Sequence, residues 1–312
     1  MSFIKEIIKN LLPYGFLKFY WKKRRIQHNS QGIYFNTFQN MSIAIRDSLK
    51  YIPSDIDLVV GIPRSGMIPA YMIALFLNKQ CCSFSELKYN ILPEHGERKI
   101  EKNNWPPKKI LIVDDSVYSG NALDKVKSEV DSLCLNRNFL YYAVFVTNNS
   151  KGYVDYYAKI VQPPRIFQWN YMNHSILSRS CVDFDGVLCV DPTDAQNDDG
   201  EAYKVFLHTA KPLFIPSVKI HAIVTSRLEK YRSDTEEWLR QHNVKYDSLI
   251  MLNLETARER QQKNCHASFK ANIYKNDNEA ILFIESNNSQ AKNIATLSGK
   301  PCLCVETDML YE

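Results

Sequence analysis

The sequence predicts an α/β protein built from two doubly wound parallel-sheet domains. Three observations carry that prediction. Short apolar runs such as Leu58–Val60, Ile110–Val113 and Ile281–Ile284 lack polar alternation, as strands covered on both faces require. Runs at residues 58 and 110 pass through a Gly, Pro or Ser turn into a helix-like stretch, so strand and helix alternate. The 312 residues are enough for two such units, each with its own core.

The run Ile110-Leu-Ile-Val-Asp-Asp-Ser-Val-Tyr-Ser-Gly-Asn-Ala122 carries the most chemistry. A buried parallel strand places Asp114 and Asp115 at its C-terminal end, where open α/β sheets bind ligands. The loop Ser116, Val117, Tyr118, Ser119, Gly120, Asn121 offers backbone N–H groups and hydroxyls ahead of a predicted helix, Ala122 to Leu133. Acids beside an anion cradle suit a sugar phosphate. Leu58-Val-Val-Gly-Ile-Pro-Arg-Ser-Gly-Met67 is again strand, then turn, then an apolar run to Leu77 that reads as a buried helix. Arg64, Ser65 and Gly66 start that helix, and a guanidinium with backbone donors suits a pyrophosphate.

In this order the two segments resemble the pyrophosphate loop and the 5-phosphoribosyl-1-pyrophosphate (PRPP) motif of type I phosphoribosyltransferases. The resemblance implies a PRPP site that uses magnesium. Arg64, Ser65 and Gly66 would face the pyrophosphate and Asp114 and Asp115 the ribose. Ser116, Val117, Tyr118, Ser119, Gly120 and Asn121 would face the 5-phosphate. It also implies that the polar stretch Ser85 to Trp105, with Lys88, His95, Arg98 and Lys99, takes the place of the family's mobile catalytic loop.

A second chemistry begins after about residue 175. Ser180-Cys-Val-Asp-Phe-Asp-Gly-Val-Leu188 is a strand ending in Asp-x-Asp-Gly. Two carboxylates so spaced can share one magnesium ion, one attacking phosphorus while the other protonates a leaving alcohol. This resembles motif I of haloacid dehalogenase-like (HAD) phosphatases. The resemblance makes Asp183 the nucleophile and Asp185 the acid/base, whose carbonyl also touches the metal. It assigns Thr225 in Ala222-Ile-Val-Thr-Ser-Arg227 to the transferring phosphoryl group. Lys270 would stabilise the aspartyl-phosphate, with Lys275 as its rival. Ile281-Leu-Phe-Ile-Glu-Ser-Asn287 matches the last metal-binding strand, with Glu285 as the ligand and Asn287 as helper, although the usual pattern there has two acids. Asp183, Asp185 and Glu285 are therefore the expected metal set.

The expected organisation is a basic amphipathic segment 1–27, a transferase domain 28–175 and a phosphatase domain 176–312, with the junction near Pro163-Pro164 and 168–178. Eight cysteines form no Cys-x-x-Cys pair and no cleavable signal is legible, so they read as apolar residues in a reducing cytoplasm. Residues 1–27 hold seven bases and one acid. The chain's +5 thus leaves −1 for the rest, which argues against nucleic-acid binding. Ile4, Ile7, Ile8 and Leu11 share a helical face, and Phe16, Phe19, Tyr20 and Trp21 follow. The segment suits an anionic membrane surface or, equally, a protein surface, and it is too short and charged to span a bilayer. The expected location is cytoplasmic, peripheral on the inner membrane face. A homo-oligomer is allowed.

Thr225 lies 42 residues after Asp183 and 45 before Lys270, which leaves room only for a minimal cap. An open site suits a phosphate on something bulky. The pairing resembles bacterial systems that transfer phosphoribose from PRPP to a glycan, or lipid-linked glycan, and then remove its phosphate. Phe167, Trp169 and Tyr171 could stack on a base or sugar, or plug the domain junction. The implied function is ribofuranosylation of a surface polysaccharide. Its rivals are a nucleobase phosphoribosyltransferase fused to a nucleotidase, and a PRPP-sensing regulator.

Overall fold

The structure, a computed structural model, describes residues 32–91, 93, 106–133, 136–197, 199–263 and 265–312. The amphipathic segment expected at 1–27, most of the loop expected at 85–105, and Cys134 lie outside the described residues. The chain divides into two compact units, one spanning Tyr34–Trp169 and one containing Asn170–Glu312.

The first unit runs β1 (Tyr34–Asn36), α1 (Phe38–Ser48), β2 (Leu58–Gly61), α2 (Met67–Leu77), β3 (Gln80–Ser83), α3 (Phe84–Lys88), β4 (Lys109–Ser116), α4 (Asn121–Ser132), β5 (Asn138–Val146), β6 (Tyr156–Ile160) and β7 (Arg165–Phe167). Strands β3-β2-β4-β5-β6 form one wholly parallel sheet, and β1 pairs with β7 apart from it. Alternate residues of β2 and β4 serve opposite faces. Val59, Leu111 and Val113 pack with Met41 and Ile45 of α1 and Ala70 and Ile73 of α2. Leu58, Val60, Ile110 and Ile112 pack with Phe84 and Leu87 of α3 and Val126 and Val130 of α4. Both faces are covered, which explains the uninterrupted apolar runs. Helix α2 spans the residues expected, but it is not buried all round: Tyr71, Leu75 and Phe76 are exposed.

From β2 the chain passes to β3 on one side and to β4 on the other. The topological switch point thus lies between β2 and β4, at the ends of the two recognised segments.

The second unit runs β8 (Ser180–Val182), α5 (Glu201–Thr209), β9 (Ile220–Leu228), α6 (Arg232–Gln241), β10 (Tyr246–Leu252), α7 (Ala257–Lys263), α8 (His266–Asn276), β11 (Leu282–Glu285), α9 (Asn288–Ser298), β12 (Cys302–Cys304) and β13 (Met309–Tyr311). The sheet order is β10-β9-β8-β11-β12-β13, parallel except for β13. Its switch point falls between β8 and β11, and β8 is flanked by the strands carrying Thr225 and Glu285. Cys181, Cys302 and Cys304 are buried beside Ala271 and Tyr274 of α8 and Ile294 of α9, so these thiols serve as small apolar residues. The seven described cysteines are all free. Among the described residues, α5 is the one helix or strand between β8 and β9, and no inserted sheet separates β9 from α8. No described helix is long and apolar enough to cross a membrane.

Trp238 of α6 ties the Asp183-Phe-Asp185 segment to this scaffold. It is fully buried, its Nε1 donates to the Ala210 carbonyl at 2.8 Å, and its ring meets Phe184 edge-on at 5.1 Å. Trp238→Ala should lower the stability of this unit by about 3–5 kcal/mol, read as a lower denaturant midpoint. An unchanged midpoint would show that Trp238 does not brace Phe184.

Candidate functional site

At the first switch point Asp115 is buried and both its oxygens accept a bond. Ser65 Oγ donates to Oδ1 at 2.7 Å, and Trp169 Nε1 donates to Oδ2 at 2.7 Å. The Arg64-Ser65-Gly66 turn and the acid pair are thereby joined directly. Asp114 is half-buried, and its Oδ1 accepts the Asp115 N–H at 2.9 Å. Gly66 permits this closeness: a Cβ there would lie 2.6 Å from the Ile62 carbonyl oxygen and 2.8 Å from that of Val113. The Pro63–Arg64 peptide is cis. Arg64, Tyr118, Ser119 and Asn121 are exposed around the acids, with Gly120 ahead of α4 at φ 84°.

Val117 takes a different role from the one expected. Its side chain is buried, its N–H goes to the Phe145 carbonyl at 2.9 Å, and its carbonyl accepts from Ser150 Oγ and from Arg165 Nη2. It anchors the loop and has no backbone group left to offer a phosphate. Phe167 lies in the core of the first unit and Tyr171 is buried in the second. Of the three aromatics proposed for stacking, Trp169 alone reaches the acids, packed against Phe167 at 5.0 Å and Phe38 at 5.4 Å.

Burial and the neighbouring Asp115 push the Asp114 carboxyl up to about 8. The fold therefore favours its protonated form. That contribution is complete below about pH 4, the unfolded value, and is lost as pH rises through 8.

The second site forms where β8, β9 and β11 end. Asp183, Glu285, Lys270 and Thr225 are all buried. Lys270 Nζ donates to Asp183 Oδ2 and to Glu285 Oε2, each at 2.7 Å, and to Gln290 Oε1 at 3.2 Å. Lys275 is exposed on the same helix. Burial and the Glu285 charge raise the Asp183 carboxyl well above the usual range. Burial opposes the Lys270 charge, but the two carboxylates outweigh it and hold the ammonium above its ordinary value. Asn287 caps α9, and its N–H donates to Glu285 Oε1 at 3.1 Å.

Asp185 has its own cation. The fully buried Arg227 donates from Nη2 to Oδ1 at 2.6 Å and from Nε to Oδ2 at 3.1 Å, while its guanidinium stacks 3.8 Å over Phe184. Its Asp185 carbonyl accepts from Ser286 Oγ at 3.2 Å. Gly186, at φ 73°, turns the chain away, and a Cβ there would strike Ser286 and Asp191.

Among the described residues no group of three or more His, Cys, Asp or Glu side chains converges as a ready metal site. The Arg227 pair explains this, since Asp185 has its carboxylate committed and only its carbonyl to offer. Asp183, that carbonyl and Glu285 are all hard oxygen donors, and the two buried carboxylates share a single ammonium, so the set fits a magnesium ion.

A cavity of about 560 Å³ opens over these groups. Its lining includes Asp183, Asp185, Thr225, Lys270 and Glu285, together with Asp191, Arg260 and His266, which sequence reasoning did not single out. Burial and the charges of Asp185 and Glu285 raise Asp191, whereas burial and the cations Arg260 and Lys270 lower His266. Arg227 ends the segment Ala222–Arg227, in which the sequence assigned a role only to Thr225. Its only sequence signal was a charge at the end of an apolar strand.

No protein-family model matches the chain, and no curated protein matches it. Among solved structures it is similar to a purine phosphoribosyltransferase from Pyrococcus horikoshii Ot3, at 20% identity over 45% of this chain and 95% of that one, with a TM-score of 0.34. It is also similar to the Helicobacter pylori xanthine-guanine-hypoxanthine phosphoribosyltransferase, at 18% identity over 45% and 94%, TM-score 0.36. A third is the orotate phosphoribosyltransferase of Aeropyrum pernix, at 15% identity over 40% and 71%, TM-score 0.28.

Two measurements test this electrostatics. Asp114→Asn should gain stability relative to the parent as pH rises from 4.5 to 8.5, by roughly 3–8 °C in thermal midpoint. Parallel pH curves would refute the raised Asp114. Arg227→Met should lower stability by about 3–5 kcal/mol, because it strands a partly buried carboxylate. Adding Asp185→Asn should recover part of that loss in denaturant titrations, and strict additivity of the two changes would deny the coupling.

Proposed function

We propose that the chain is a bifunctional enzyme. It transfers 5-phosphoribosyl from PRPP to a hydroxyl of a glycan acceptor and then removes the 5-phosphate, leaving a ribofuranosyl residue in bacterial surface polysaccharide assembly. The observation that carries this reading is the occurrence of both residue sets at switch points in one chain. Asp114 and Asp115 end β4 against the Arg64-Ser65-Gly66 turn. Asp183, Thr225, Lys270 and Glu285 converge where the central strands β8, β9 and β11 end.

In the transfer, the acceptor oxygen attacks C1 of the ribose, the C1–O bond to pyrophosphate breaks, and the hydroxyl proton leaves to solvent. Arg64, Ser65 and Gly66 hold the departing pyrophosphate. Asp114 orients the ribose hydroxyls. Asp115, fixed by Ser65 and Trp169, holds the pyrophosphate turn in register with them. Ser116, Ser119, Gly120 and Asn121 surround the 5-phosphate, an arrangement that favours positioning over covalent chemistry.

In the second reaction an Asp183 oxygen attacks phosphorus and the P–O bond to the ribose C5 oxygen breaks, and the alcohol takes a proton from Asp185, whose carboxyl must first turn out of the Arg227 pair. Water then attacks the aspartyl-phosphate, and Asp185 receives its proton. Lys270 and Thr225 hold phosphoryl oxygens as charge builds. Magnesium, held by Asp183, the Asp185 carbonyl and Glu285, would supply charge neutralisation here, as it would for the pyrophosphate of PRPP. The lack of an inserted sheet over the described cavity supports a bulky substrate. The basic segment 1–27 is proposed to hold the enzyme at an anionic membrane, near lipid-linked acceptors.

The deciding experiment uses Asp183→Asn with PRPP and a candidate glycan. Pyrophosphate release should persist, phosphate release should fall by several orders of magnitude, and a product heavier by one phosphate should accumulate in the mass spectrum. Unphosphorylated ribosyl product from this variant would remove Asp183 from its role. Pyrophosphate release with a nucleobase and not with glycan, and a nucleoside monophosphate as best phosphatase substrate, would shift the reading to nucleotide metabolism. PRPP binding without turnover would shift it to a sensor.

A further inference from the structure

Two arginines are buried beside the second site, and they differ in one respect. Arg227 has Asp185 as its counter-ion. Arg260 of α7 is only 8% exposed, yet among the described residues it pairs with no carboxylate. Its Nη1 donates to the Ser226 carbonyl at 3.1 Å and its Nη2 to Asn197 Oδ1 at 3.2 Å, and the guanidinium also bonds the neutral Tyr203 hydroxyl, while its Nε makes no bond. The Ser226 hydroxyl is also buried without a partner. Both residues, with Asn197, line the cavity that holds Asp183.

A desolvated guanidinium held only by neutral acceptors is costly. In a cavity, such a group is answered by water or by an anion that enters with a ligand. The Nε and Nη2 edge of a guanidinium is the fork that matches two oxygens of one oxyanion, and here the Nε half of it is unused. Elsewhere the lining is acidic: Asp183, Asp191, Glu285 and Glu306 contribute to it, and Lys270 supplies its one ammonium. An incoming anion is therefore favoured at the Arg260 side. His266 lies in the same lining, and burial and the cations Arg260 and Lys270 push it toward its neutral form.

We propose that Arg260, with Ser226 and Asn197, forms an oxyanion-binding subsite that holds a phosphate-type anion of the substrate beside Asp183. This deepens the phosphatase reading above and rests on it. The anion is either the 5-phosphate itself or a second anionic group on the glycan.

The test measures inorganic phosphate binding by calorimetry, and p-nitrophenyl phosphate hydrolysis in parallel, on the full chain with magnesium. Arg260→Met should weaken phosphate binding by about tenfold or more, and Arg260→Lys by less. Asn197→Asp supplies the missing counter-ion in place, so it should weaken phosphate binding while the thermal midpoint holds or rises. That variant separates lost binding from lost fold. If phosphate binding is unchanged in Arg260→Met and Asn197→Asp but they lose kcat/KM on an anionic glycan conjugate relative to a neutral one, the anion is the glycan's. If neither quantity changes while the parent hydrolyses p-nitrophenyl phosphate, the subsite is refuted and the phosphatase reading stands. A parent that binds phosphate through Arg260 but hydrolyses no ester keeps the subsite and loses the catalytic reading. A parent that does neither loses both.

Discussion

The Lys270 ammonium, 2.7 Å from both Asp183 and Glu285, is what allows two buried carboxylates to end neighbouring strands of one sheet. Without it the pair would be two like charges taken out of water, and each would have to bind a proton. With it, one negative charge remains uncompensated and Asp183 stays under pressure toward its protonated form. The site is thus built one positive charge short. A cation held there, as proposed, would answer that shortage.

The first unit handles the same problem differently. Asp114 and Asp115 are adjacent in one strand, and no cation touches either among the described residues. Asp115 is stabilised by two donors, one hydroxyl and one indole, each at 2.7 Å. Asp114 is held only by a backbone N–H and is pushed toward neutrality. The two acids therefore part company. Asp115 serves the scaffold, bridging the turn after β2 and the Trp169 ring, and Asp114 is the one left to respond to a ligand. A cationic or hydroxyl-bearing ligand would shift Asp114 toward its charged form, so binding there should be linked to proton release.

What was legible in the sequence follows from the range of the interactions. The strands Leu58–Gly61 and Lys109–Ser116 and the helix Met67–Leu77 come from local runs whose period and turn chemistry are written in consecutive residues. The acids were legible because strand ends at switch points are where such residues serve ligands. Their partners were not. Trp169 reaches Asp115 across 54 positions, Arg227 reaches Asp185 across 42, and Arg260 reaches Asn197 across 63. No local pattern selects one arginine over another at such distances. Val117 departs for the opposite reason: it lies inside the segment expected to bind phosphate, but its backbone groups are consumed by Phe145, Ser150 and Arg165.

The two buried arginines show how burial separates structure from chemistry. Both are desolvated to a similar degree and both sit near the end of β9. Arg227 stacks on Phe184 and grips Asp185 with two bonds, a geometry that fixes one carboxylate rotamer and leaves little for a ligand. Arg260 is held by one carbonyl, one amide oxygen and the Tyr203 hydroxyl, all neutral. A polypeptide can bury the first arrangement at modest cost because the charges cancel internally. The second is stable only to the extent that its charge is answered by water or by a bound anion. Asn197 is the informative neighbour, since an aspartate of nearly the same shape would have closed the pair. An amide at that position keeps the guanidinium in place without neutralising it, and the charge stays available to whatever enters the cavity.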